Sequence, residues 1–169
     1  LEPLVAAQRG GALLRHARRA GVAVAAVAYR GTWDLAAARR LRRLLRTWRP
    51  DVVHAHDPRA HAVALVALLG RDVPLVVTRR ATAPVPVGAR LRYLAGVARV
   101  LVPTAAARLA VLRAGVPEAH VVVVPPGVRP PDARAPRDWR RERGWPADAW
   151  VVGVIGPVEP AGRDVGETA

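Results

Sequence analysis

The chain has 169 residues, of which 51% are hydrophobic and 24% are charged, so it is long enough to bury a core of its own. It contains no cysteine, which excludes a disulfide framework, a thiolate metal site and a cysteine nucleophile. All 27 basic residues are arginine and they outnumber the 13 acidic residues, so the net charge of +14 favours contact with anions.

Short apolar runs alternate with amphipathic stretches, which is typical of an α/β protein with a doubly wound, Rossmann-like parallel sheet. The pattern predicts these elements in chain order: a helix over 4–20, a buried strand over 22–28, a helix from an Asp34 cap to Pro50, a strand over 51–55, a helix over 59–69, a strand over 73–78, a helix over 89–97, a strand over 99–102, a helix over 105–114 and a strand over 120–124. Because the first predicted element is a helix, we interpret the chain as a fragment whose first strand is missing.

The composition changes after residue 128, where prolines and tryptophans replace the regular apolar period. We therefore predict a domain over 1–128, a linker over 129–149 and the truncated start of a second domain over 150–169. That last part is predicted to hold a strand over 150–155 and the start of a helix at Asp164.

Polar residues follow three of the predicted strands. They are His54, His56 and Asp57 at the end of the strand over 51–55, Arg79 and Arg80 after the strand over 73–78, and Gly127 in the turn after the last strand. In an open parallel sheet, ligands bind beyond the carboxyl ends of the strands, so these residues are candidates for substrate binding. Paired guanidinium groups suit a phosphate or carboxylate.

Each candidate also has a structural interpretation. His54 is predicted to point inward as a core histidine, while His56 and Asp57 contact either a ligand or their own loop. Arg79 and Arg80 either bind an anion or carry solvated loop charges, and Gly127 is first a turn residue. A metal site formed by the histidines with Asp57 and His61 is disfavoured, because alternate strand residues point to opposite faces.

Four stretches in this order resemble the N-terminal half of the group 1 family of retaining glycosyltransferases, which have the two-domain GT-B fold: PDVVHAHD at 50–57, PLVVTRR at 74–80, GVPEAHVVVVPPGV at 115–128 and VVGVIGPVEPAGRD at 151–164. The resemblance implies transfer of a sugar from a nucleotide-sugar donor to an acceptor, including a lipid or cell-envelope glycan, without a metal or other cofactor. It implies that this chain supplies the acceptor side, with Gly156 at the start of the donor site; it leaves the catalytic residue unidentified.

The chain departs from the family pattern at three places. Pro126 stands where the family usually has asparagine, Arg79 and Arg80 follow a strand after which many members have histidine, and no lysine occurs near Ala161. The last two departures remove groups that the family uses at the active site and for the donor phosphate. The fragment is therefore predicted to be inactive alone.

The arginine-rich face of the helix after Asp34 has three interpretations: a solvated face, a contact with an anionic membrane, or a nucleic-acid surface, the last disfavoured because no recognition module is present. No apolar run approaches the roughly 18 residues that cross a bilayer, so we predict a cytoplasmic protein, with peripheral contact at the inner face of the membrane as an option. The alternative function is a non-catalytic basic module that binds nucleic acid or anionic membrane, and an epimerase or phosphorylase of the same fold also stays open.

Overall fold

The computed structural model describes residues 2–28, 30–31, 33–127 and 138–153. The chain divides into two compact units, Leu1–Gly127 and Val128–Ala169. Within the described ranges, no helix combines the length and the apolar character that spanning a membrane requires.

The first unit alternates parallel strands with helices. Its elements are β1 (Leu4–Ala7), α1 (Ala12–Arg19), β2 (Ala23–Ala26), α2 (Leu35–Trp48), β3 (Val53–Ala55), α3 (Pro58–Leu68), β4 (Leu75–Thr78), α4 (Val87–Leu94), β5 (Val97–Val102), α5 (Ala105–Leu112) and β6 (Val121–Val123), the last preceded by a 3₁₀ turn over Glu118–His120. Strands β3, β4, β5 and β6 form one sheet in that order, β1 pairs with β2, and every pairing is parallel. The predicted α/β, Rossmann-like class is confirmed.

The N-terminal segment corrects two predictions. A helix over 4–20 and a missing first strand are both wrong, because residues 4–7 form β1 and pair in register with residues 23–26 of β2. The helix begins only at Ala12, after Gly10 has taken a left-handed conformation with φ of 76°. An alanine-rich segment suits either structure locally, so the hydrogen bonds to β2 decide it.

Strand β2 is shorter and more exposed than predicted. It covers four residues, none of them buried, because it pairs with β1 alone. The remaining boundaries of the first unit differ from the predicted ones by three residues at most. The largest difference is at the helix predicted to end at residue 97, which ends at Leu94.

Side-chain caps start the helices that follow the strands. Asp34 caps α2, as predicted, by accepting a hydrogen bond of 2.9 Å from the backbone N–H of Ala37. Asp57 caps α3 in the same way through the N–H groups of Arg59 and Ala60. A cap of this kind ends the preceding loop sharply, so it sets where the helix leaves the edge of the sheet.

The core lies around the two central strands of the four-stranded sheet. Leu75 and Val77 of β4, Val100 of β5 and Val111 of α5 are all 2% exposed or less. Because all four strands run in the same direction, the loops that follow Ala55, Thr78, Val102 and Val123 leave the sheet at one edge. That edge holds the polar residues identified in the sequence.

The second unit contains a short helix in its described residues. Helix α6 (Trp139–Arg143) lies in the segment predicted as a linker, starts at an Asp138 cap and ends at Gly144, whose φ is 66°. Residues 150–153 are not in a strand, so the predicted start of a strand at Trp150 is wrong. Gly156 and the helix predicted from Asp164 lie outside the described residues.

Candidate functional site

A cavity of about 200 Å³ opens at the carboxyl ends of β3 and β4. Its walls come from the loop after β3, the end of β4 with the loop that follows it, and the inner side of α4. The lining residues are His56, Asp57, Pro58, Val77, Thr78, Arg79, Arg80, Ala81 and Tyr93. The cavity therefore lies where an open parallel sheet is expected to bind its ligand.

The prediction that His54 is a core histidine is wrong. His54 is exposed, and a hydrogen bond of 2.7 Å joins its Nε2 to Oγ1 of Thr78 on the neighbouring strand. Its strand, β3, lies at the edge of the four-stranded sheet, away from the central strands that form the core. This bond ties the ends of β3 and β4 together beside the cavity.

The argument that strand alternation separates the histidines fails for His54 and His56, because residues two apart along an extended chain point to the same face. Their ring centroids are 4.0 Å apart. Within the described residues, however, no three side chains of the metal-binding types come together. His61 lies apart from this pair, on α3.

His56 is a neutral imidazole near pH 7. Burial lowers its pKa, the positive charge of Arg80 lowers the pKa further, and the carboxylate of Asp57 opposes both effects. A neutral imidazole has one N–H donor and one acceptor nitrogen, so it can pair with a sugar hydroxyl in either direction. The positive charge of the cavity then comes from the arginines.

The single carboxylate of the cavity is already engaged by the backbone. Oδ1 of Asp57 accepts hydrogen bonds of 2.8 Å and 2.9 Å from the N–H groups of Arg59 and Ala60. The carboxylate is thereby held at the N-terminus of α3, where it also offsets the positive end of the helix dipole. The structural role that the sequence offered for Asp57 is present.

Arg79 and Arg80 have different environments. Nη2 of Arg79 donates to the carbonyl of Ala83 at 2.5 Å, and its guanidinium lies 6.0 Å from the ring centroid of Tyr93. Its Nε is buried without a hydrogen-bond partner in the described structure. Arg80 is exposed, and the described residues give it no hydrogen bond or ion pair. Arg80 is therefore the guanidinium best placed to meet an incoming anion.

Tyr93 of α4 and His61 of α3 support the wall of the cavity from below. Both are buried, and their rings meet edge to face with centroids 4.9 Å apart. Nε2 of His61 donates to the carbonyl of Arg92 at 2.9 Å, and burial lowers the pKa of His61 to about 4. The imidazole is therefore neutral and structural, and it joins α3 to α4.

Gly127 does not line the cavity. It follows β6, two strands away from β4 in the sheet, although its loop leaves the same edge. Its φ is not left-handed and a Cβ there would meet no atom within 4 Å, so the backbone does not require glycine. The structure thus brings together His56, Asp57, Arg79 and Arg80, and leaves Gly127 outside.

Sequence reasoning missed Thr78 and Tyr93. Thr78 ends β4 immediately before the two arginines, so its place at the strand end was a readable signal. Tyr93 comes from a helix that follows a loop of eight residues, 79–86, and no local pattern connects it to β3. Only the packing of α4 against the sheet brings it to the cavity.

Solved structures share this fold at low sequence identity. HepE of Anabaena, in a crystal structure with UDP and glucose, has a TM-score of 0.63 and 16% identity, with 74% of this chain and 37% of HepE covered. A glycosyltransferase from Rickettsia africae has a TM-score of 0.68 and 14% identity, with 86% of this chain and 42% of that protein covered. This chain thus spans about two fifths of the length of these proteins.

Fold and site together define a Rossmann-like α/β domain of the kind that glycosyltransferases with the GT-B fold contain. The sequence matches the Glycosyltransferase Family 4 domain over residues 2–130, and the chain belongs to that family. No curated protein sequence matches it.

Proposed function

We propose that this chain is the acceptor-side domain of a retaining glycosyltransferase that moves a sugar from a nucleotide-sugar donor to a glycan or lipid-linked acceptor. The observation that carries the proposal is the cavity at the ends of β3 and β4, where a neutral imidazole, a threonine hydroxyl and an unpaired guanidinium meet. Membership of Glycosyltransferase Family 4 supports the reaction class. The crystal structure of HepE with UDP-glucose supports a nucleotide sugar as donor.

The proposed transfer forms a bond between an acceptor hydroxyl and the anomeric carbon of the sugar, while the bond from that carbon to the donor phosphate breaks. The proton of the hydroxyl passes to the departing phosphate oxygen, so the enzyme need not supply a pair of carboxylates. In this scheme the cavity binds and orients the acceptor, and no metal or other cofactor takes part. The donor site lies in the second domain, for which Gly156 remains a prediction.

The charge of the cavity favours an acceptor that carries a phosphate or carboxylate. Two guanidinium groups, of Arg79 and Arg80, line the cavity with one carboxylate, that of Asp57, which is held by the backbone of α3. Charge-assisted bonds from arginine to such groups are roughly twice as strong as neutral ones.

Acceptor kinetics of the full-length gene product test this proposal. Arg80→Gln is expected to raise KM for the acceptor about tenfold, on the scale of one lost charge-assisted bond, while the affinity for the nucleotide sugar stays unchanged. His56→Asn should raise the same KM by a smaller factor. Arg43→Gln, on the exposed face of α2, is the matched control and should change neither quantity.

Two results would contradict the proposal. If calorimetry shows that the full-length protein binds no nucleotide sugar, the reaction class is wrong. If Arg80→Gln weakens nucleotide-sugar binding as much as it raises the acceptor KM, the cavity does not belong to the acceptor side.

A further inference from the structure

Helix α4 has an uncovered apolar face. Val87, Leu91 and Leu94 follow one another at helical spacing and are 79%, 74% and 49% exposed. The opposite side of the helix is buried through Ala89 and Tyr93, so the helix is firmly seated on the unit. Ala83 and Pro84, in the loop before the helix, are also exposed. An exposed apolar surface of this kind marks an interaction site rather than a solvated face.

The segment that carries this face has no negative charge of its own. Residues 73–117 contain no aspartate or glutamate, and their charged residues are Arg79, Arg80, Arg90, Arg92, Arg99, Arg108 and Arg113. Nη2 of Arg90 donates to the carbonyl of Arg113 at 2.7 Å, which holds this guanidinium between α4 and the end of α5. The partner of the α4 face therefore combines an apolar interior with negative charge.

An indole also lies beside the helix. Trp33 is 62% exposed, and the guanidinium of Arg92 lies 5.8 Å from its ring centroid. Tryptophan and arginine are the side chains that proteins place at the boundary between lipid headgroups and water. This pairing extends the same chemistry from α4 to the loop before α2.

These features favour one of three candidate partners for the outer face of α4. A second copy related by a two-fold axis would bring Arg90 and Arg92 of α4 close to the same arginines of the other copy. A nucleic acid would meet aliphatic side chains where it needs charged ones. An anionic bilayer accepts the aliphatic side chains below its headgroups and attracts the flanking arginines.

We propose that the outer face of α4 docks this domain on an anionic lipid surface, with Val87, Leu91 and Leu94 inserted at the headgroup boundary. Tyr93, on the inner side of the same helix, lines the cavity. Docking through α4 therefore brings the cavity close to the membrane, within reach of a lipid-linked acceptor. This benefit rests on the proposed function, whereas the docking itself does not need sugar transfer.

Vesicle sedimentation tests the docking surface without any nucleotide sugar. The chain is mixed at low salt with vesicles of phosphatidylglycerol and phosphatidylcholine, or of phosphatidylcholine alone. We expect binding to the anionic vesicles only, and a loss of affinity of about tenfold in Val87→Ser/Leu91→Ser. The matched control is Leu13→Ser/Leu35→Ser, which changes two leucines that are 58% and 57% exposed on α1 and α2. This control and Arg39→Gln/Arg43→Gln on α2 should each change the affinity by less than about threefold.

Several outcomes would overturn the docking proposal. They are no binding to anionic vesicles, an equal loss in the leucine control, or a larger loss in the α2 arginine variant. A dimer in sedimentation velocity that Val87→Ser/Leu91→Ser dissolves, without vesicle binding, would instead assign the face to a second copy. Binding to duplex DNA that this variant weakens as much as vesicle binding would assign it to nucleic acid. Transfer activity is measured in a separate assay, so the vesicle results can be interpreted even if the proposed function is wrong.

Discussion

Helices α2 and α4 both carry arginines, yet the faces that they expose to solvent differ in chemical character. The outward face of α2 is charged, with Arg39, Arg43 and Arg46 exposed, whereas that of α4 is aliphatic. Other arginines of α2 act within the fold: Nη1 of Arg42 donates to the carbonyls of Ala67 and Leu69, at 3.1 Å and 2.6 Å.

The comparison shows that a high positive charge does not by itself locate a binding surface. Part of the charge on α2 satisfies the carbonyl groups at the end of α3, and the rest lies on a face without apolar residues at its centre. On α4 fewer charges flank an apolar face that the described structure leaves uncovered. The position of the apolar side chains, rather than the number of arginines, distinguishes the two helices.

Truncating one leucine on each helix gives the largest expected difference between α2 and α4 in the free energy of unfolding. Leu45 of α2 is 4% exposed and belongs to the core, so Leu45→Ala should lower the free energy of unfolding by about 2–5 kcal/mol. Leu91→Ala on α4 should change it by less than about 0.5 kcal/mol, because this side chain is 74% exposed. Urea unfolding followed by circular dichroism measures both. Equal losses would mean that the outer face of α4 is part of a core and is not open for docking.

The pH dependence of stability tests the contact that His61 makes between α3 and α4. Burial lowers the pKa of His61 to about 4, below the 6.5 of a free histidine, so the unfolded state binds more protons between these values. The stability that depends on neutral His61 is fully present above pH 6.5 and is lost as the pH falls towards 4. The loss in the free energy of unfolding amounts to about 3 kcal/mol.

Urea unfolding at several pH values in this window gives the free energy of unfolding as a function of pH. This free energy should change less with pH in His61→Gln than in the wild type. Leu13→Gln, at an exposed position of α1 without a titrating side chain, is the control and should keep the wild-type pH dependence. A wild-type pH dependence in His61→Gln would mean that His61 is not the group that titrates, and would remove the argument for its neutral, structural role.

The smallest expected difference in the free energy of unfolding is between substitutions of two neighbouring arginines of α2. Arg42→Met should lower the free energy of unfolding by about 1–2 kcal/mol, because two carbonyls at the end of α3 lose a charged donor. Arg43→Met should change it by less than about 0.5 kcal/mol, since Arg43 is exposed. Thermal unfolding at low and moderate salt resolves the two. Equal losses would show that the arginines of α2 act through the overall charge and not through these bonds.

Several features of the site could be read from the sequence because they depend on short-range order. Parallel strands place their carboxyl ends at one edge, so residues that follow β3 and β4 come together once the α/β pattern is recognised. His56, Asp57, Arg79 and Arg80 line one cavity for this reason. Their roles in binding a substrate remain predictions.

The errors fall where a distant part of the chain decides the structure. An apolar strand predicts a core position for His54, but the side chain is exposed and bonds to Thr78. The apolar and amphipathic pattern predicts a helix over residues 4–7, but pairing with β2 makes them a strand.

The sequence by itself determined the alternation of strands and helices, the absence of cysteine chemistry, the excess of arginine and the polar residues at two strand ends. These properties follow from composition and from periods of a few residues, which act within one element. Only the tertiary structure decided which histidine is buried, that Tyr93 completes the cavity, and that α4 turns its aliphatic side chains outward. Those outcomes depend on contacts between residues far apart in the chain, and no local pattern encodes them.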